Sequence, residues 1–250
     1  MKSPGAAAGK QRLDRLLVER GLAESREKAQ ALIMAGAVLV DGQKAQKPGH
    51  NITVSSRIEV TEKPAYVSRG GFKLAAALER FNVCVDGRIC LDTGSSTGGF
   101  TDCLLQRGAA KVHAVDAGVG QLDWKIRNDP RVVVHEGINA RYLRPEEIGE
   151  PVDLIVCDVS FISVTLILPA VVALLKAAAA GEMVILIKPQ FESEKGQVGK
   201  GGIVRDPELH RAACVKVDDA VRRLGFQTRL MESPILGAEG NKEFLLYARH

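Results

Sequence analysis

Three segments of the 250-residue chain place an ionisable residue directly at the end of an apolar run. Met183–Glu192 reads MVILIKPQFE, five apolar residues fit for the middle of a sheet followed at once by Lys188. In CDVSFIS, Asp158 closes the run that begins at Leu154, and in LDTGSSTGGFTD, Asp92 closes a strand-like run ahead of a glycine loop. A fully buried strand reads as a continuous apolar run, and open α/β sheets bind ligands beyond the carboxyl ends of such strands. Each charge taken alone reads as a surface residue behind a core strand. Their shared position puts them at the lip of one site.

The loop Gly94–Gly99 turns tightly from strand to helix, so the backbone at Gly94, Ser95, Ser96, Thr97, Gly98 and Gly99 can approach a ligand closely. A second strand ends in Asp116, where a carboxylate accepts hydrogen bonds from the two hydroxyls of a ribose. Dinucleotides call for G-x-G-x-x-G and a pyrophosphate facing a helix N-terminus. S-adenosylmethionine carries a cationic sulfonium and an amino group instead, and Asp92 at the start of the loop suits a cation. With Asp116 and Asp158 in register, the expected cofactor is S-adenosylmethionine, with Asn139 of EGINAR facing the adenine.

The elements that must position these residues alternate: strands Ile89–Thr93, Lys111–Asp116, Val132–His135, Leu154–Asp158 and Met183–Lys188, with helices from about Gly99, around Trp124, over Leu166–Ala179 and from Pro207 to Leu224. Two last strands, Gln227–Glu232 and Glu243–Ala248, follow without an intervening helix. This pattern predicts a doubly wound, mostly parallel sheet closed by an antiparallel strand. Ahead of it, SRGGFKLAAALERF predicts a helix after the two glycines. Lys73 in its first turn opposes the helix dipole by up to about 1 kcal/mol, a cost that is tolerated or serves a purpose. Near the N-terminus, Leu13, Leu16 and Leu17, then Ala29, Leu32 and Ile33, mark two amphipathic helices that stop at Gly21 and Gly36. Alternating short strands follow as far as Val60. The expected division is a mobile tail over 1–10, a small α+β domain over 11–61, a linker over 62–68 and the α/β domain over 69–250.

Arg12–Val60, with RLD-x-LL, S-R-x-x-A-x-x-L-I and V-x-V-D-G, resembles the S4 domain, an RNA-binding module. The resemblance implies a basic face on structured RNA built from Arg12, Arg15, Arg26, Lys28, Lys44 and Lys47, since RNA helices are grasped through phosphate and shape. Arg69, Lys200 and Arg205 are further candidates, the last two in the glycine-rich GQVGKGGIVRD, a loop expected to close over RNA. Taken with SRGGFKL, AVDAGVGQLDWKIR, INAR, CDVSFIS, IKPQFE, GKGGIVRD and GNKEFL, the chain resembles the TlyA family of ribosomal RNA 2′-O-methyltransferases, also called hemolysin A. The family's catalytic domain is similar to the FtsJ-type ribose methyltransferases. The resemblance implies a Rossmann-like class I methyltransferase fold and a catalytic set Lys73, Asp158, Lys188 and Glu243, with ribosomal RNA in ribosomal subunits as partner. In that set Lys188 faces the ribose 2′-hydroxyl, either as a general base whose pKa is lowered by burial and by Lys73, or as a protonated group that aligns the hydroxyl. Glu192 is left outside the set, as a local cap or pair.

Composition narrows the alternatives. The net charge of +4 divides as +6 over residues 1–80 and −2 over 81–250, which fits an N-terminal part facing a polyanion. Five scattered cysteines without C-x-x-C read as reduced core residues of a cytoplasmic protein, with no metal site. Only Ile162–Gly181 is long and apolar enough to test as a membrane span, and Pro169 and Lys176 interrupt it. A membrane-active hemolysin would leave the S4 pattern and the four-residue set without a role. A catalytically silent sensor of adenosylmethionine would not need that set. A nicotinamide enzyme is disfavoured by the loop.

Overall fold

The computed structural model describes residues 9–34, 37–45, 47–61, 65–176, 181–194, 196, 198–199, 201–237 and 240–250. Lys200, most of the expected tail, residues 62–64 of the expected linker and the end of the expected helix over 166–179 lie outside the described residues. The chain divides into two compact units, Met1–Ala65 and Tyr66–His250.

In the first unit β1 (Lys10–Arg12), α1 (Leu13–Glu19), α2 (Arg26–Met34), β2 (Val38–Val40), β3 (Gln43–Lys44), β4 (Asn51–Thr53) and β5 (Ile58–Val60) follow in order. The sheet β3-β2-β5 is antiparallel, and β1 pairs with β4. Leu13, Leu16, Leu17, Ala29, Ile33, Val38 and Ile52 form its core, so the helical spacing read from the sequence is the spacing that packs.

The second unit opens with α3 (Gly70–Phe81). After it come β6 (Ile89–Thr93), α4 (Gly99–Gln106), β7 (Lys111–Asp116), α5 (Trp124–Arg127), β8 (Val132–Glu136), α6 (Pro145–Ile148), β9 (Leu154–Cys157), α7 (Leu168–Val172), β10 (Glu182–Ile187), α8 (Pro189–Glu192), α9 (Pro207–Arg223), β11 (Gln227–Glu232) and β12 (Phe244–Arg249). Its seven strands lie in the order β11-β12-β10-β9-β6-β7-β8, all parallel except β12, which runs antiparallel between β10 and β11. This is the Rossmann-like class I methyltransferase sheet. Strand period two splits the sheet residues between two cores: Cys90, Val112, Leu154, Val156 and Val184 face α3 and α4, and Leu91, Val115, Ile155, Ile185 and Ile187 face α7 and α9.

Two expectations change. Tyr66–Ser68, expected as linker, pack into the second unit: a side chain on Gly71 would meet the Tyr66 ring at 2.2 Å, and Val67 N donates to Asp102 Oδ2 at 2.9 Å. Among the described residues, up to 176, the helix expected over 166–179 is a 3₁₀ turn at Val164–Leu166 and the short α7. The chain leaves it because Leu174 and Lys176 take backbone hydrogen bonds with Val152, at 2.8 and 2.9 Å, in place of helical ones. No helix among the described residues is long and apolar enough to cross a membrane.

Candidate active site

The strand order reverses between β6 and β9, and the crevice beyond their carboxyl ends is where an open sheet binds ligands. A cleft of about 350 Å³ lies there, lined among others by Gly94, Ser96, Asp116, Gly118, Gln121, Asn139, Asp158, Ser160 and Phe161. The backbone at Gly94 adopts φ +84°, and a Cβ there would come within 2.5 Å of the Asp158 carbonyl oxygen. Only glycine satisfies both demands. The loop is tied to β7 by Gly94 N and Ser95 N, which donate to Val115 O at 2.8 and 3.1 Å.

Asp116 ends β7 with both carboxylate oxygens already fixed: Ser96 N donates to Oδ2 at 2.8 Å and Gly118 N to Oδ1 at 2.7 Å. A carboxylate has about four acceptor directions, so an oriented group remains for two hydroxyls. Asn139 accepts from Arg141 N at 3.0 Å through Oδ1, which leaves its Nδ2 as a donor at the cleft. Asp92 is fully buried: Thr101 Oγ1 donates to Oδ2 at 2.6 Å and Oδ1 has no partner. Burial first, with the nearby charges of Asp158 and Asp116 adding to it against the Thr101 hydrogen bond, pushes its pKa up to about 7. The carboxylates of Asp116 and Asp158 at the cleft, with the Asp92 carboxyl and its orphaned oxygen buried behind them, fit a cationic ligand and disfavour a pyrophosphate.

The loop residues divide. Gly94 and Ser96 line the cleft, whereas Ser95 is buried and Thr97 is exposed beside it. Gly98 meets Leu122 at 2.9 Å and Gly99 meets Ser68 Oγ at 2.1 Å from their would-be Cβ positions. These last two glycines therefore serve the packing of α4 on α3 and α5, and the N-terminus of α4 is covered by chain.

Lys73, Asp158, Lys188 and Glu243 come together through sheet register. Ile187 of β10 faces Phe244 of β12, so Lys188 and Glu243 leave the two strands side by side. Asp158 follows Cys157, which pairs with Ile185 and Thr93. Lys73 forms a buried ion pair with Glu243, and Lys188 Nζ lies 2.6 Å from Asp158 Oδ1, close but off hydrogen-bond alignment, while donating to Ser160 Oγ at 2.8 Å. Each lysine thus faces a carboxylate, which is not the lysine–lysine contact considered for Lys188 in the sequence. Pro189 restricts Lys188 to extended backbone, so the strand stops there and α8 begins.

Sequence reading passed over Ser160, Gln121 and Asn241, and set Glu192 aside as a local cap or pair. The signal for Ser160 was its place two residues past Asp158. Asn241, 1% exposed, accepts from Val204 N and donates to Gly202 O, each at 2.9 Å. It fastens the described part of the loop that was expected to close over RNA. In the first unit, Arg12 and Arg26 both bind the buried Asp14, at 2.7 and 3.0 Å, with Gln30 donating at 3.0 Å. These hydrogen bonds, that of Arg12 first, hold the Asp14 carboxyl well below the usual carboxylate range. Arg15, Lys28, Lys44, Lys47, Arg69 and Arg205 are exposed, with no ion pair among the described residues.

Residues 66–250 match the FtsJ-like methyltransferase family, and residues 11–58 match the S4 domain. A Mycobacterium tuberculosis protein named 16S/23S rRNA (cytidine-2′-O)-methyltransferase TlyA is 49% identical over 97% of this chain and 91% of its own. Hemolysin A of Brachyspira hyodysenteriae is 45% identical over 94% and 98%. A solved structure from Streptococcus thermophilus, described under the hemolysin name, superposes with TM-score 0.73 at 43% identity, covering 97% of this chain and 89% of that one.

Proposed function

The chain belongs to the TlyA family of FtsJ-like methyltransferases, an S4 domain preceding the catalytic domain, and on that premise we propose that it methylates the ribose 2′-hydroxyl of a cytidine in ribosomal RNA. The observation that carries the reading is the pair of ion pairs, Lys73–Glu243 and Lys188–Asp158, at the carboxyl-end edge of the sheet, with Asp158 lining a cleft whose carboxylates suit a cation.

S-adenosylmethionine, when bound, supplies an electrophilic methyl group on its sulfonium. Asp116 would accept from the ribose hydroxyls, Asn139 Nδ2 would donate toward the adenine, and the Asp158 carboxylate would favour the cationic end. Gly94 and Ser96 would give the backbone contact, and the remaining loop residues shape it.

Lys188 takes the RNA hydroxyl. An ammonium group has three donors; Ser160 engages one of them, Asp158 holds the charge from 2.6 Å without an aligned hydrogen bond, and donor capacity is left for the 2′-oxygen. We assign Lys188 to alignment, which by itself supplies several kcal/mol of rate enhancement. Lys73 and Glu243 brace the neighbouring strand end. Exposed Arg15, Lys28, Lys44 and Lys47 hold RNA phosphates, with Arg69 and Arg205 on the second unit, and the enzyme works in the cytoplasm where ribosomal subunits are. A membrane-active role is not favoured, because it leaves these residues unused.

The test is incubation with methyl-labelled adenosylmethionine and unmethylated 30S, 50S or 70S particles. Label in a particle supports the reading and names the substrate. Binding of the cofactor without label in any particle contradicts it.

A further inference from the structure

Glu192 ends α8, lines no part of the cleft, and is nevertheless 6% exposed. Its Oε1 accepts from Val164 N at 2.7 Å and its Oε2 accepts from Ser163 Oγ. Lys216 Nζ of α9 lies 3.0 Å from the same Oε2 and donates to the Glu192 backbone carbonyl at 2.8 Å. One carboxylate therefore joins three segments: α8, the stretch Asp158–Val164, and α9.

Two of those segments hold the Lys188 ammonium. Lys188 is the residue from which α8 starts, and its partners Asp158 and Ser160 stand on the stretch that Glu192 anchors at Ser163 and Val164. Across the same gap the Phe161 and Phe191 rings meet at 5.3 Å. Phe161 holds φ +66°, an unusual conformation for a bulky side chain, which persists only where surrounding contacts impose it. A buried carboxylate held by a half-exposed lysine and two hydrogen bonds is a poor way to gain stability compared with apolar packing, and the better-attested use of such a buried charge is to fix one arrangement among several.

We propose that Glu192 is a positioning residue, which sets the placement of Lys188 by locking the Asp158–Val164 stretch to the short helix that follows the lysine. The inference rests on the methyltransferase reading for its effect on rate, and on geometry alone for its effect on Lys188.

The experiment compares wild type with Glu192→Ala, Glu192→Gln and Ser163→Ala by two readouts. The first is kcat and KM for methyl transfer to unmethylated ribosomal subunits. The second is the acetylation rate of Lys188 by acetic anhydride in the RNA-free protein, read by mass spectrometry, with thermal midpoints as the folding control. Glu192→Ala is expected to lower kcat by about 10²-fold, the scale of a misplaced reacting group, with KM little changed, and to raise Lys188 acetylation. Glu192→Gln keeps an acceptor for Val164 N and falls between, as does Ser163→Ala. Folded variants with wild-type kcat and wild-type Lys188 acetylation overturn the proposal. If Glu192→Ala does not fold, unchanged Lys188 acetylation in Ser163→Ala overturns it. Wild type that methylates no particle, together with faster Lys188 acetylation in the variants, defeats the methyltransferase reading and leaves the clamp standing.

Discussion

Burial holds the Asp92 carboxyl at about 7, against an ordinary 3.8. The folded protein therefore prefers this group protonated. Its favourable contribution is complete below its ordinary value and is lost as pH rises toward 7. A shift of this size corresponds to a few kcal/mol, at about 1.4 kcal/mol per unit. In urea denaturation between pH 4.5 and 8.5, Asp92→Asn is expected to gain stability over wild type as pH rises, and a pH-independent difference would contradict the assignment. Asp92, Asp158 and Lys188 were legible as residues at the ends of apolar runs, because a charge stopping a buried strand is a local signal; Lys73 and Glu243 joined the set only through the family resemblance. Glu192 and Ser160 were not legible in either way. Their partners are Lys216, Ser163 and Lys188, and only the folded sheet brings these together.

Elements decide how close the backbone of the loop comes to the rim. Gly94→Ala puts a side chain into a left-handed backbone and against the Asp158 carbonyl, at a cost of roughly 1–3 kcal/mol. Calorimetry should show weakened cofactor binding together with lowered stability. Gly120→Ala is the control, since φ there is +72° and nothing lies within 4 Å of its added Cβ. It shares the backbone strain without the clash, so equal effects from both would remove the argument from close approach. The strands were read nearly to their ends because apolar runs and period-two alternation mark them. The helix expected over 166–179 was misjudged because an apolar run after Pro169 reads as helix, and the competing hydrogen bonds to Val152 lie far away in the chain.

At the scale of the molecule, charge separates binding from chemistry. Arg12 and Arg26, read as RNA contacts from their motif, each spend a guanidinium on Asp14, a partner that spacing alone did not reveal. Neutralising Arg15 or Lys28 should weaken RNA binding and lower the salt slope by about one per residue, with stability unchanged. Asp14→Ala should destabilise the first unit by removing the carboxylate that orders both arginines, an effect visible by thermal unfolding. The depressed Asp14 carboxyl adds stability above its ordinary 3.8 that is lost as pH falls below it. The most direct test of the account is the position of the transferred methyl group. Labelled RNA made by wild type and by Lys188→Ala would be digested with alkali, which cannot cleave beside a 2′-O-methylated ribose. The account predicts an alkali-resistant dinucleotide beginning with cytidine from wild type and none from Lys188→Ala, although the variant still binds adenosylmethionine. Label on a base, or a resistant dinucleotide formed equally well by Lys188→Ala, would contradict it.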